Sequence, residues 1–315
     1  LGSSSAAQSV ALARHFELAC RPARAAHHRR LAGQHASRFG DHAMAAEHFE
    51  AGLSSLREVA DAGVRDPLEL ATQLALGLAH FAAEGYASAR ARAAYARARE
   101  LCDMVNDGEA RTRTLLMLAT VHGLHGAPAR GVELAVEARA SAAARGDRLG
   151  IALGTWRQGV FEFFLGRLDD ARRHFDELLG FYDPQAHTEL WASVGQDPRV
   201  TALAWSAVAH GIAGDSLRAA RLLDEAVTWA RRIDHPLSLA FALGVCAEFG
   251  GSWQAEPDQA LSGSLARAHQ LSRAACAAEC RRIGERSGLG LPVLLADHAT
   301  AMLAVQRGEV EAGIA

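Results

Sequence analysis

Lysine does not occur anywhere in the 315 residues, so arginine supplies all 33 of the basic side chains other than histidine. A Walker A phosphate loop, a kinase-type Lys–Glu pair and a Schiff base with a carbonyl substrate or pyridoxal phosphate each require a lysine amine. The missing amine therefore excludes these three mechanisms from this stretch of chain.

Aromatic residues and prolines are also scarce, since aromatics make up 6% of the sequence and there are 8 prolines. Alanine accounts for about a fifth of the residues and leucine is abundant, a composition that favours helix over strand. The sequence therefore predicts an all-α fold.

Neither an excess of positive charge nor a long apolar run is present. The net charge is −3, which gives no attraction to a nucleic-acid backbone or an anionic membrane. The most apolar late stretch, residues 291–305, is interrupted by Asp297 and His298, and the N-terminus lacks the basic start and apolar run of a signal peptide. We therefore expect a cytoplasmic protein that binds neither nucleic acid nor membrane.

The five cysteines lack CxxC spacing, as expected of small buried residues in a reducing compartment. Cys276 and Cys280 are one helical turn apart, and His122 and His125 could share one side of a helix. Neither pair has further ligands at a recognisable spacing, and no G-x-S-x-G motif is present. We therefore predict no catalytic residue, no metal and no cofactor.

A repeated unit accounts for most of the chain. Each copy has a small residue within a helix, a turn glycine seven residues later, an alanine five residues further on and a large residue four after that. In a weaker first copy Cys20 replaces the glycine, and a copy around Gly77, Gly85 and Tyr95 is shifted by one residue, which predicts a longer turn. The clear copies are Gly33, Gly40, Ala45 and Phe49; Gly159, Gly166, Ala171 and Phe175; and Ala207, Gly214, Ala219 and Leu223.

This spacing predicts stacked pairs of antiparallel helices. Small residues at facing positions let two helices approach closely, and the large residue fills the space beside them. Turn glycines recur roughly every 40 residues, so we predict about eight helix pairs in a tetratricopeptide-like α-α superhelix. An irregular helical bundle is the alternative.

The predicted organisation is a flexible N-terminal segment at 1–8 followed by the superhelix at 9–315, with loop insertions at 182–198 and 251–273. Two Asp-Pro steps in the first insertion and Pro257 in the second interrupt the helical pattern. Because the chain begins with leucine and stops within an apparent helix, we expect it to be part of a longer protein.

Three segments carry a resemblance to a known family. "YARARELC" at 95–102, "YDPQAH" followed by "GQDPRV" at 182–200, and "HPLSLAFAL" at 235–243 resemble, in this order, the tetratricopeptide region of large bacterial signalling ATPases. The resemblance covers nearly the whole chain, and the second segment is the most specific. It implies that a nucleotide cyclase or other output domain and an ATPase module lie upstream, so that this region is a regulatory arm. The insertion after Trp253 departs from the family pattern.

In tetratricopeptide arrays the first helix of each pair lines an inner groove. Exposed aromatic rings in such a groove usually mark a binding site, although the rings could instead pack on one another or under the 182–198 loop. Arg97 and Arg99 lie in an arginine-rich stretch that is a solvated face or, as an alternative, an anion site. The mapped groove residues are His27, Arg30, Gln34, Arg38, Arg113, Trp156, Phe163, Phe164, Thr201, Phe241 and Glu248.

The sequence thus predicts a non-catalytic interaction and sensing arm of a bacterial signal-transduction ATPase or cyclase. Its partner would be a protein, a peptide or the parent protein's own ATPase or output domain, bound in the groove. A small-molecule effector sensor with an enclosed pocket is the first alternative, and a metal-dependent enzyme is a weaker one.

Overall fold

The computed structural model describes residues 2–85, 88–183, 197–249 and 273–287. In these ranges every regular element is an α-helix, and there are thirteen of them. The predicted all-α helical-repeat fold is therefore confirmed. None of the helices in these ranges combines the length and apolarity that a membrane crossing requires.

The chain divides into two compact units, residues 1–157 and 158–315, and the division falls inside the eighth helix. The repeat pattern continues in both units, so no division between 9 and 315 was predicted from the sequence. Unit 1 contains α1 (Gly2–Leu18), α2 (Pro22–Arg38), α3 (His42–Leu56), α4 (Ala62–Glu84), α5 (Ala89–Val105), α6 (Gly108–Gly123), α7 (Pro128–Ala143) and the start of α8 (Arg148–Phe164). Unit 2 contains the rest of α8 and α9 (Leu168–Phe181), α10 (Pro198–Ile212), α11 (Ser216–Arg232), α12 (Pro236–Phe249) and α13 (Arg273–Ser287).

Aspartates set the starts of several helices. The Asp41 carboxylate accepts a hydrogen bond from the Met44 backbone N–H at 3.0 Å, and Asp107 accepts one from Ala110 at 2.9 Å. An aspartate before the first turn satisfies a backbone donor that has no partner within the helix.

The turns between helices use left-handed backbone. Gly40, Gly166 and Gly214 have φ values of 80°, 75° and 88°, which a glycine adopts without the steric cost that a Cβ atom brings. Cys20 takes the same conformation with φ 51°, at the position where the repeat pattern substitutes it for glycine. The turn after α4 runs from Glu84 to Ala89 and is one residue longer than the turn between Arg38 and His42, as the shifted copy predicts.

Large side chains lie directly on small ones within the pairs. A Cβ atom added to Gly33 would come within 2.5 Å of the Phe49 ring, and one added to Gly159 would come within 2.5 Å of the Phe175 ring. The shifted copy has the same close contact, because a Cβ atom added to Gly77 would come within 2.7 Å of the Tyr95 ring. The repeat alanines at 45, 171, 207 and 219 are fully buried, and Leu223 is also buried.

Two expectations differ from the structure. Residues 2–8, assigned from the sequence to a flexible segment, are helical, because α1 begins at Gly2 and its Ala6-Ala7 pair favours helix. Cys20 is exposed, whereas the cysteines at 102, 246, 276 and 280 are buried, because Cys20 occupies a turn. The predicted insertions, apart from Tyr182, Asp183, Asp197, Pro198 and Arg273, and the last predicted helix pair lie outside the described residues.

Candidate functional site

One face of α4 forms the floor of a cleft in unit 1. The cleft has a volume of about 490 Å³, and Phe49 and Val105 also line it. Residues three and four apart share one side of a helix, so α4 contributes a continuous stripe. Leu70 is buried and Leu78 is 50% exposed, so the apolar floor reaches from the core to solvent. The α4 residues are Pro67, Leu70, Ala71, Leu74, Ala75 and Leu78.

The walls of the unit-1 cleft are polar. One wall comes from α2 and consists of Arg30, Gln34, Ser37 and Arg38. The other comes from the start of α6 and consists of Asp107, Glu109, Ala110 and Arg113. The cleft therefore brings together four of the predicted groove residues, Arg30, Gln34, Arg38 and Arg113. Their role in binding a partner stays a prediction.

The cleft arginines differ from their neighbours in having no counter-ion. Within the described part of the chain, Arg30, Arg38 and Arg113 form no ion pair or hydrogen bond through their side chains, and the Arg30 Nε atom is buried without a partner. By contrast, Arg29 pairs with Glu17 at 2.7 Å and Arg111 pairs with Asp103 at 2.6 Å. Arg30 is half-buried, whereas Arg38 and Arg113 are exposed, so all three guanidinium groups are accessible to an anionic ligand group.

The acidic residues of the cleft are confined to the α6 wall. Asp107 and Glu109 are both exposed, and one carboxylate oxygen of Asp107 caps α6. The α2 wall thus carries only positive charge, while the α6 wall carries both signs. This separation gives the cleft an electrostatic polarity across the α4 floor.

The charges of the cleft arginines contribute to the pKa values of two nearby residues. Partial burial, followed by the charge of Arg30 and then of His28, lowers the pKa of His27. His27 itself is exposed and does not line the cleft. Burial raises the pKa of Tyr95, and the positive charge of Arg113 opposes that rise.

Two predicted groove residues are enclosed. Trp156 is 4% exposed, and the Arg157 guanidinium lies 4.0 Å from the centre of its ring. Thr201 is 1% exposed, and its hydroxyl donates to the backbone carbonyls of Asp197 and Pro198. Neighbouring groups therefore cover both side chains in this structure, and their role in binding a partner stays a prediction.

The remaining aromatic residues form a cluster in unit 2. The Trp205 ring lies between Phe163 at 4.8 Å and Phe241 at 5.8 Å, measured between ring centres, and Phe164 is 5.5 Å from it. These distances show that the rings pack on one another, although Phe164 remains partly exposed to solvent. Trp205 was missed from the sequence because the position count selected Thr201 on the same helix. Glu248 belongs to α12, but its side chain lies outside the described residues.

The other candidate sites are occupied by structural contacts. Arg97 donates to Glu69 and Glu100, and Arg99 donates to Glu137, so their charges are already balanced. Partial burial and the charge of Arg130 lower the pKa of His122. Among the residues that the structure describes, no group of three or more His, Cys, Asp or Glu side chains could hold a metal ion.

The comparisons with known proteins identify a fold. No family model matches the chain, and no curated protein matches it in sequence. A signal transduction ATPase with numerous domains from Pyrococcus horikoshii, which has a tetratricopeptide repeat sensor, superposes with a TM-score of 0.61 at 13% identity. That match covers 79% of this chain and 36% of the Pyrococcus chain, so this chain spans about a third of that protein.

Two other solved structures have similar folds. The nearly identical TPR-like repeats of a Podospora anserina protein named as a kinesin light chain give a TM-score of 0.52 at 15% identity, over 68% of this chain and 97% of that one. A Rap protein complexed with competence and sporulation factor gives 0.56 at 13% identity, over 93% of this chain and 77% of that one. At these identities the likeness concerns the fold, and the fold of this chain is that of the tetratricopeptide-like repeat proteins.

Proposed function

We propose that this chain is a non-catalytic interaction and sensing domain that binds a protein or peptide segment in the unit-1 cleft. The observation that carries the proposal is the apolar α4 floor between two polar walls, with Leu78 half exposed at its edge. Apolar anchors surrounded by polar groups are the usual arrangement at sites where proteins bind peptide segments.

The fold neighbours support an interaction or sensor role. The Pyrococcus protein carries its repeats as a sensor, and the Rap protein was crystallised with a bound factor. For this chain the parent would be a bacterial, cytoplasmic signal-transduction ATPase or cyclase whose output the arm controls. The coding sequence upstream of Leu1 tests this part. An ATPase module with a lysine-bearing phosphate loop supports it, and an independent start codon contradicts it.

The cleft itself is tested with Leu78→Asp. A carboxylate at the edge of the apolar floor should abolish binding of peptides selected against the wild-type chain, without unfolding it, because Leu78 is half exposed. Val136 is exposed to a similar extent on α7, outside the cleft, so Val136→Asp is the matched control. Equal binding by the two variants, measured by fluorescence anisotropy, would contradict a partner site in the cleft.

A small-molecule effector is the second candidate, and the cleft volume supports it. About 490 Å³ falls within the range of ligand pockets. This candidate predicts that a metabolite library raises the melting temperature of the wild-type chain but not of Leu78→Asp, while selected peptides bind both equally. The metal-dependent enzyme, the weakest alternative, gains no support from the described residues.

A further inference from the structure

We infer that the segment bound in the unit-1 cleft is acidic on the side that faces α2. This inference rests on the proposed function and specifies the chemistry of the partner. It is carried by the unpaired arginines of the cleft and by the way charge is divided between its two walls.

The α2 wall presents two guanidinium groups to the same cleft. Arg30 and Arg38 are eight residues apart and line the same cleft, so their backbone positions are about 12 Å apart along the helix. Gln34 lies midway between them on the same face, where its side chain can donate a further hydrogen bond. Two carboxylates about 12 Å apart on a bound segment would match this wall.

When the cleft is filled, the charges of its arginines determine which occupant binds favourably. An apolar occupant would take water away from the guanidinium groups and leave them without compensation, which is costly. The Nε atom of Arg30 is already buried without a partner. A carboxylate on the occupant would instead form a charge-assisted, two-point hydrogen bond with a guanidinium group.

The α6 wall sets the orientation of the segment. Asp107 and Glu109 repel acidic groups there, and Arg113 is the one cation among the cleft residues of that wall. A segment with acidic residues along one side and apolar residues toward α4 satisfies both walls only when its acidic side faces α2. A uniformly acidic segment would be opposed at Asp107 and Glu109.

The test uses random peptides displayed on phage and selected against the intact chain. The peptides have about 12 residues because a helix of that length, at 1.5 Å per residue, is as long as the α4 floor from Pro67 to Leu78. Selected peptides are then synthesised with blocked termini. Their affinities are measured for the wild type, Arg30→Gln, Arg38→Gln and the control Arg57→Gln. Arg57 is exposed at the end of α3 and does not line the cleft, so all three variants lose one positive charge.

We expect enrichment of Asp and Glu among the selected peptides, together with apolar residues. Affinity should fall roughly tenfold in Arg30→Gln and in Arg38→Gln, should be unchanged in Arg57→Gln, and should fall as salt is raised. Replacing Glu by Gln in the peptide should remove the difference between wild type and the two cleft variants.

The outcomes separate this inference from the proposed function. Peptides that bind in a Leu78-dependent manner but are neutral or basic would overturn the acidic specificity and leave the proposed function standing. Binding of inorganic phosphate or citrate that depends on Arg30 and Arg38, with no peptide selected, would overturn both in favour of a small-anion site. Peptide binding that is indifferent to Leu78→Asp would overturn both by locating the partner elsewhere.

Discussion

The hydroxyl of Tyr182, just after α9, donates a hydrogen bond to the carboxylate of Asp197, the residue that caps α10. Asp197 is fully buried and Tyr182 nearly so. The backbone N–H of Asp197 also donates to the Ser238 hydroxyl on α12 at 2.8 Å. The contact joins the two ends of the segment from 182 to 198 that carries the most specific part of the family resemblance, and it gives that motif a structural role in unit 2.

Asp197→Ala should therefore destabilise the protein more than an ordinary loss of a helix cap. The variant loses both the bond from the Val200 N–H and the bond from the buried Tyr182 hydroxyl. We expect about 2–4 kcal/mol lower free energy of unfolding in urea.

Asp215→Ala is the matched control for Asp197→Ala. Asp215 caps α11 through a 3.1 Å bond from the Arg218 N–H but is exposed, so its loss should cost only about 1 kcal/mol. Equal losses in the two variants would show that the Tyr182 contact contributes nothing.

Gly33→Ala and Gly180→Ala should change stability in opposite directions. A methyl group on Gly33 would meet the Phe49 ring at 2.5 Å, whereas Gly180 on α9 has no atom within 4 Å of the added carbon. We expect Gly33→Ala to lower the free energy of unfolding by about 1–3 kcal/mol. Gly180→Ala should raise it by up to about 1 kcal/mol through helix propensity. Stabilisation by both, in urea titrations, would mean that the close approach of α2 and α3 is absent.

Phe49→Ala should be one of the most damaging single changes in unit 1. Phe49 is 1% exposed and packs on Gly33, so truncation should cost about 3–5 kcal/mol. Phe39, in the turn before α3, is 71% exposed, and Phe39→Ala should change stability by less than about 0.5 kcal/mol. A loss below about 0.5 kcal/mol for Phe49→Ala would refute the assigned repeat register.

Acid should weaken unit 2 through His235. Burial lowers the pKa of His235, and the charge of Asp197 opposes this. The Nδ1 atom lies 3.3 Å from the Ser238 backbone N–H, and that bond requires an unprotonated Nδ1. Because the folded-state pKa lies below the unfolded value of about 6.5, the unfolded chain binds more protons as pH falls through that value. Stability is therefore fully present above about pH 6.5 and is lost progressively below it.

His235→Asn isolates this contribution, because asparagine can cap a helix but does not titrate. We expect the free energy of unfolding of the variant to depend less steeply on pH between about 5 and 7 than that of the wild type. The histidines at 27, 48, 122 and 210 also have lowered pKa values, so part of the dependence remains. An unchanged slope in urea titrations at several pH values would exclude His235 as a source.

The helix pairs were predictable because their signal is local. Gly33 and Phe49 lie 16 residues apart in one two-helix unit, and the spacing that brings them together recurs along the chain. Cys20 was identified as a turn residue for the same reason. Composition alone was sufficient for the all-α class.

The proposed binding surface was only partly predictable. The α2 and α6 arginines followed from counting positions along each first helix. The α4 floor was missed because that repeat is shifted by one residue, although the four-residue spacing of Leu70, Leu74 and Leu78 was visible. Position counting also could not anticipate that Arg157 covers Trp156, or that Tyr182 meets Asp197, because those contacts depend on packing.

Hydrogen–deuterium exchange with a selected peptide tests the central claim most directly. If the unit-1 cleft is the partner site, amides at 30–38, 67–78 and 107–113 should exchange more slowly when the peptide is bound. Leu78→Asp, with the same peptide, should show no such slowing. Protection confined to unit 2, or no protection of α2, α4 and α6 under saturating peptide, would contradict the assignment of the cleft as the partner site.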